Sequence, residues 1–158
     1  MLKLVPKSWL SWNFSVLEES HSVADIDISW WREKGVLTVE GTSYEVYREG
    51  LMSSDFILES TGSVLARAQK LSAFRRCFLI EHAGKRYTLC AESAFRRIFV
   101  LLLDDKAVGS IRPEGCFTRR ATADLPQDML LPIKIFTVWL AVILWKRESD
   151  AAGAVTAS

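Results

Sequence analysis

The sequence predicts a mainly β fold: a closed β-barrel of about 11–12 short antiparallel strands around a central hydrophobic C-terminal helix. Three observations lead there. The stretch Pro132 to Arg147, P-I-K-I-F-T-V-W-L-A-V-I-L-W-K-R, is apolar from Ile135 to Trp145 except at Thr137. Upstream of it, short runs alternate apolar and polar residues with a period of two. Turn signals separate those runs at nearly regular spacing, and no linker divides them.

The helix sets the frame. A helix apolar on nearly every side belongs inside a protein or inside a bilayer. Pro132 to Arg147 spans roughly 24 Å at 1.5 Å per residue. A bilayer core is about 30 Å thick and asks for about 20 mostly apolar residues, so the run falls short. Lys134 also lies one turn from its start. By the positive-inside rule, Lys146 and Arg147 would send the rest of the chain across the membrane. The N-terminal stretch M-L-K-L-V-P-K-S-W-L has neither the apolar core nor the cleavage site of a signal sequence. The run is therefore expected as the buried helix, residues 132–147, of one domain covering residues 1–148. Its insertion in a membrane is the alternative. Pro132 suits a first helical turn, and Lys146 and Arg147 would oppose the helix dipole in the last. The small, polar segment 149–158 is expected to be a disordered tail.

The strands follow in order. Between Ser8 and Leu17, Leu10, Trp12, Phe14 and Val16 alternate with Ser11, Asn13 and Ser15, which predicts a first strand. Ile26, Ile28 and Trp30 alternate with Asp25, Asp27 and Ser29 in a second. Further strands are predicted over 36–40, 44–48, 55–60 and 64–70, with turns around Gly41 and Thr61-Gly62. Residues 77–82 and 85–90 flank Ala83-Gly84 as a hairpin, and 97–103 and 106–112 flank Asp104-Asp105 as another. A last strand is predicted over 117–123. Ser72-Ala73-Phe74-Arg75-Arg76-Cys77-Phe78 recurs 21 residues later as Ser93-Ala94-Phe95-Arg96-Arg97-Ile98-Phe99. Two barrel strands and their turns occupy about that length, so one structural unit is used twice.

A barrel of about a dozen strands is too wide for strand side chains alone to fill. The helix from Pro132 is the apolar candidate for its interior. Fully burying its large side chains contributes roughly 1.5–3 kcal/mol each, and a chain cut before Asp128 is expected to unfold.

Composition narrows the function classes. The 158 residues are 49% hydrophobic, enough for a folded core, and net charge is only +1. Residues 1–60 carry 5 basic and 10 acidic residues, and residues 61–120 carry 12 and 5, so the middle third is a basic block. Cys77, Cys90 and Cys116 flank apolar residues and read as small core residues. With His21 and His82 the only histidines, no zinc-type spacing exists. Reduced thiols fit a cytoplasmic location.

The phrases S-T-G-S-V-L-A-R-A-Q-K (60–70), G-K-R-Y-T-L (84–89), V-G-S-I-R-P (108–113) and D-L-P with the apolar helix (124–147) resemble the tubby C-terminal-like superfamily. That group includes tubby domains, phospholipid scramblases and LURP-one-related proteins. The resemblance covers roughly residues 25–147 and implies a twelve-stranded barrel wrapped around a hydrophobic helix. Scramblase-like relatives carry a proline-rich N-terminal segment, a cysteine cluster and an acidic calcium-binding stretch. Here there are four prolines and no cysteine cluster, and Asp124 and Asp128 alone precede the helix. Two carboxylates make a poor calcium site, so no metal and no cofactor are expected.

No nucleophile elbow, phosphate loop or dinucleotide fingerprint is present, and no catalytic residue is assigned. Glu18, Glu19, His21, Asp25 and Asp27 are densest in titratable groups, but their alternation with Ile26 and Ile28 puts the aspartates on a wet strand face. The candidates for binding are four basic pairs: Arg75-Arg76, Lys85-Arg86, Arg96-Arg97 and Arg119-Arg120. Adjacent strand residues point to opposite faces, and an inward arginine would meet an apolar helix at heavy desolvation cost. The pairs are therefore expected at barrel ends, as a rim for anionic membrane lipid headgroups or a protein partner. Phe74, Phe95 and Phe117 lie close by in the chain. Net charge near zero disfavours nucleic acid.

Overall fold

The computed structural model describes every residue except Trp30, Trp31, Leu51, Ala73, Phe74, Phe117, Ala157 and Ser158. Twelve strands run in chain order: β1 (Leu2–Pro6), β2 (Phe14–Glu18), β3 (His21–Ile28), β4 (Gly35–Val39), β5 (Thr42–Arg48) and β6 (Phe56–Ser60). They continue as β7 (Ser63–Lys70), β8 (Cys77–His82), β9 (Lys85–Ala91), β10 (Phe99–Leu103), β11 (Lys106–Pro113) and β12 (Ala121–Asp124), before helix α1 (Leu131–Thr156). Each strand pairs antiparallel with its neighbours, and β1 closes the barrel on β12 through Leu2↔Ala123 and Leu4↔Ala121.

Strict antiparallel order sorts the connections by length. At one end, five two-residue turns join the hairpins, with positive φ at both Glu19-Ser20, Glu40-Gly41, Thr61-Gly62, Ala83-Gly84 and Asp104-Asp105. Positive φ at both central positions matches the strand twist. The turns begin at 19, 40, 61, 83 and 104, so the sequence repeat is part of a longer structural one. At the other end lie the longer loops 7–13, 29–34, 49–55, 71–76, 92–98 and 114–120.

The helix is enclosed. Ile133 and every residue from Ile135 to Trp145 are buried, surrounded by inward side chains such as Phe14, Ile26, Leu37, Phe56, Phe78, Leu89 and Phe99. Thr137, the buried polar residue among those described, satisfies its hydroxyl by donating to the Ile133 carbonyl at 2.8 Å. Trp139 packs edge-on against Phe56, with ring centroids 4.9 Å apart. A Cβ added at Gly35 would lie 2.5 Å from Trp139 Nε1, so the indole reaches the barrel wall only where a side chain is missing.

Several expectations are corrected. Residues 8–13 form a loop rather than the start of a strand, and the apolar alternation there begins with an exposed Leu10. The strand missing from the sequence count is β1. The helix continues through the segment 149–156 expected to be a tail, where alanine favours helix and every residue is exposed. Lys146 and Arg147 therefore do not cap a helix end; they pair with Asp150 (2.7 Å) and Glu33 (2.5 Å). Cys77 and Cys90 are not separate core thiols. They oppose each other on β8 and β9 with Cα atoms 4.2 Å apart and form a disulfide, while Cys116 is free and exposed. The close spacing is that of a non-hydrogen-bonded pair. Trp30, expected in the second strand, lies outside the described residues.

Trp139→Ala should cost about 3–5 kcal/mol by leaving a cavity in the barrel axis. Gly35→Ala should cost about 1–3 kcal/mol by forcing that same indole aside. Chemical denaturation of the two variants and of the double variant checks both. If the indole contact carries the glycine's effect, the double variant loses less than the sum of the single losses.

Candidate functional site

The long-loop end gathers most of the basic pairs. The helix leaves the barrel here: Trp145 Nε1 donates to the Arg97 carbonyl at 3.1 Å, and Arg147 forks onto Glu33 in loop 29–34. Arg48 joins that carboxylate at 3.4 Å. Hydrogen bonding from Arg147, with its charge and that of Arg48, holds the Glu33 carboxyl below its ordinary value although burial opposes the shift.

In each of three pairs, one arginine is built into the loops and its neighbour is left exposed. Arg76 donates through Nη2 to the carbonyls of Ser93 (2.7 Å), Ala94 (3.2 Å) and Arg96 (3.0 Å), and pairs with Glu148. It thereby ties loop 71–76 to loop 92–98 and to α1, beside the disulfide. Arg97 lies over the Trp145 ring at 5.2 Å. Arg119 donates to the Ser11 carbonyl at 2.8 Å and lies 5.0 Å from the Trp12 ring centroid, tying loop 114–120 to loop 7–13. Burial pulls the pKa of Arg76 and Arg97 below the ordinary value. The partners Arg75, Arg96 and Arg120 are exposed. Arg96 meets Glu92 at 3.3 Å across largely solvated side chains, a weak pair. Arg75 and Arg120 have no ion-pair partner among the described residues.

The fourth pair does not join them. Lys85 and Arg86 open β9 at the tight-turn end, the far side of the barrel. Lys85 is bound to Asp128 at 2.9 Å and Arg86 to Glu81 at 2.8 Å. A rim of all four pairs is thus corrected to a face built on three.

Loop chemistry also explains the sequence repeat. Ser72 and Ser93 each accept, through Oγ, the N–H three residues on, of Arg75 (3.4 Å) and Arg96 (3.1 Å). Ser8 does the same for Ser11 at 3.1 Å. The bends Ser8–Ser11 and Ser93–Arg96 push the residues between them outward. Trp9 is 88% exposed, Leu10 80% and Phe95 98%; Met52, in loop 49–55, is 98% exposed. Phe95 was singled out in the sequence; Phe74 and Phe117 lie outside the described residues. Trp9, Leu10 and Met52 were missed. For Trp9 and Leu10, the serine three residues before Ser11 was the available signal.

Charge divides between the ends. The six long loops contain nine basic and five acidic residues, net +4; the five tight turns contain Glu19, Glu40, Asp104 and Asp105 and no basic residue, net −4. The barrel is polarised along its axis. Elsewhere, Asp25 and Asp27 face outward on β3 and share Lys7 at 3.2 Å each. Among the described residues, no group of three or more His, Cys, Asp or Glu side chains could hold a metal ion.

No family model matches the chain, and neither a curated protein nor a solved structure is detectably similar to it.

Glu33 contributes to stability above its ordinary pKa of 4.5, and that contribution disappears as pH falls through its lowered folded-state value. Glu33→Gln should therefore lower Tm by about 2 °C at pH 7, corresponding to roughly 1 kcal/mol or less. The difference should be smaller at pH 3, below the ordinary value of 4.5. Scanning calorimetry at both pH values tests this; an equal difference at both would contradict it.

Proposed function

We propose that this protein is a non-catalytic binding module that docks its long-loop end on an anionic membrane surface. The observation that carries the reading is the coincidence, on one end, of positive charge with exposed Trp9, Leu10, Met52 and Phe95. Isolated exposed apolar residues need no explanation, but four on loops 7–13, 49–55 and 92–98, all at the end whose loops carry net positive charge, form an interfacial pattern. Arginine near an anionic surface contributes roughly 1 kcal/mol per residue. Tryptophan places an apolar ring and a polar N–H at the headgroup level. The axial charge separation would orient the barrel as it approaches. The tubby-like resemblance supports the same peripheral role.

The rest of the molecule is consistent with docking rather than insertion. The apolar side chains of α1 line the barrel interior, and no helix among the described residues is long and apolar enough to cross a membrane. Past Asp150 the helix carries no charge, so its projecting turns would enter the headgroup layer without electrostatic penalty. The Cys77–Cys90 bond belongs with oxidising conditions. It removes the basis in reduced thiols for expecting a cytoplasmic location.

Vesicle flotation tests the reading. Binding should require anionic lipid and weaken as salt rises. The triple variant Arg75→Glu, Arg96→Glu, Arg120→Glu should bind at least about a hundredfold more weakly, since three charges are reversed at roughly 1 kcal/mol or more each. Equal binding to neutral vesicles, or indifference to salt, would defeat the proposal.

A further inference from the structure

Loops 7–13 and 114–120 enclose a groove of about 490 Å³ lined by Pro6, Ser8, Trp9, Thr118, Arg119 and Arg120. That volume falls within the range of small-ligand sites. Among the described residues that line it there is no carboxylate. Arg119 uses Nη1 on the Ser11 carbonyl and is held by its position beside the Trp12 ring, which leaves guanidinium N–H groups in a fixed orientation. Arg120 is exposed, with no side-chain partner among the described residues. Thr118 Oγ1 accepts the Arg120 N–H at 2.9 Å, so its own O–H proton is available to a ligand. The groove thus offers two guanidiniums and a hydroxyl donor, with Trp9 as an apolar wall.

We propose that this groove binds a phosphate monoester, whose two negative charges match the two guanidiniums. Arginine suits this task because its planar fork pairs with two phosphate oxygens at once. Arg119 is prepaid in orientation, since the loop-to-loop contact fixes it before any ligand arrives. Arg120 closes on the anion from the exposed side. A monoester can be the headgroup of a phosphatidate in the membrane or a soluble molecule. The proposal rests on the docking face for the first source but not for the second.

The experiment compares the full chain with Arg120→Gln and Arg75→Gln, each of which removes one exposed charge from the same end. Binding is measured to phosphatidylcholine vesicles doped with phosphatidate or with phosphatidylserine, matched in zeta potential, and by calorimetry to glycerol 3-phosphate. The wild-type chain should prefer phosphatidate about tenfold, the difference one charge-assisted hydrogen bond makes. It should also bind glycerol 3-phosphate. Arg120→Gln should lose both properties, whereas Arg75→Gln should keep both and bind all anionic vesicles more weakly. If the phosphatidate preference is absent, or the two variants behave alike on it, the groove is not a monoester site, even where charge-dependent docking persists. Binding of glycerol 3-phosphate that depends on Arg120, without vesicle binding, would support the groove and defeat the docking face. No binding in any arm would defeat both.

Discussion

An apolar helix and a wide β-barrel each have a defect that the other repairs. Between Ile135 and Trp145 the helix has no wet face to offer, since Thr137 turns its hydroxyl back onto the Ile133 carbonyl. A twelve-stranded barrel without a filler would leave an apolar void along its axis. Enclosure removes both costs together, and the fit is local as well as general. Gly35 withdraws its side chain where Trp139 meets the wall, and Ala66, Ala68, Ala121 and Ala123 keep parts of the inner surface low.

Filling the interior determines where binding can occur. With no lumen for a ligand, recognition must use the outside or the ends, and the ends are unlike. Tight turns leave little backbone to present anything. The longer loops on the opposite side carry arginines, exposed aromatic and aliphatic tips, and the groove beside Trp9. The arginines of this end divide between those that maintain the surface and those that face solvent. Arg76, Arg97 and Arg119 hold loops and helix in place through carbonyls and aromatic rings, which leaves Arg75, Arg96 and Arg120 in defined positions facing outward.

Much of the architecture was legible because its signals are local. The unbroken apolar run marked the helix, and Ala83-Gly84 and Asp104-Asp105 marked hairpins that the barrel contains. The failures have a common physical origin: periodicity reports a face without saying what covers it. Leu10 and Trp12 alternate like strand residues, yet one is exposed at a loop tip and the other is buried beneath Arg119. The disulfide required the register of β8 against β9, which no property of Cys77 or Cys90 reveals alone. Lys85-Arg86 looked like the other basic pairs until alternating strand direction carried it to the opposite end. The helical continuation past Arg147 was obscured because its small residues suit an exposed helix and an irregular tail equally well.

The enclosure of the helix is tested most directly by native-state hydrogen–deuterium exchange resolved along α1. Amides from Ile133 to Trp145 should exchange only through global unfolding, at the same limiting rate as the slowest barrel strands, while those from Ala151 to Thr156 exchange rapidly. Rapid exchange across 133–145 while the strands remain protected would mean that the helix leaves the barrel without unfolding it, and would contradict the account.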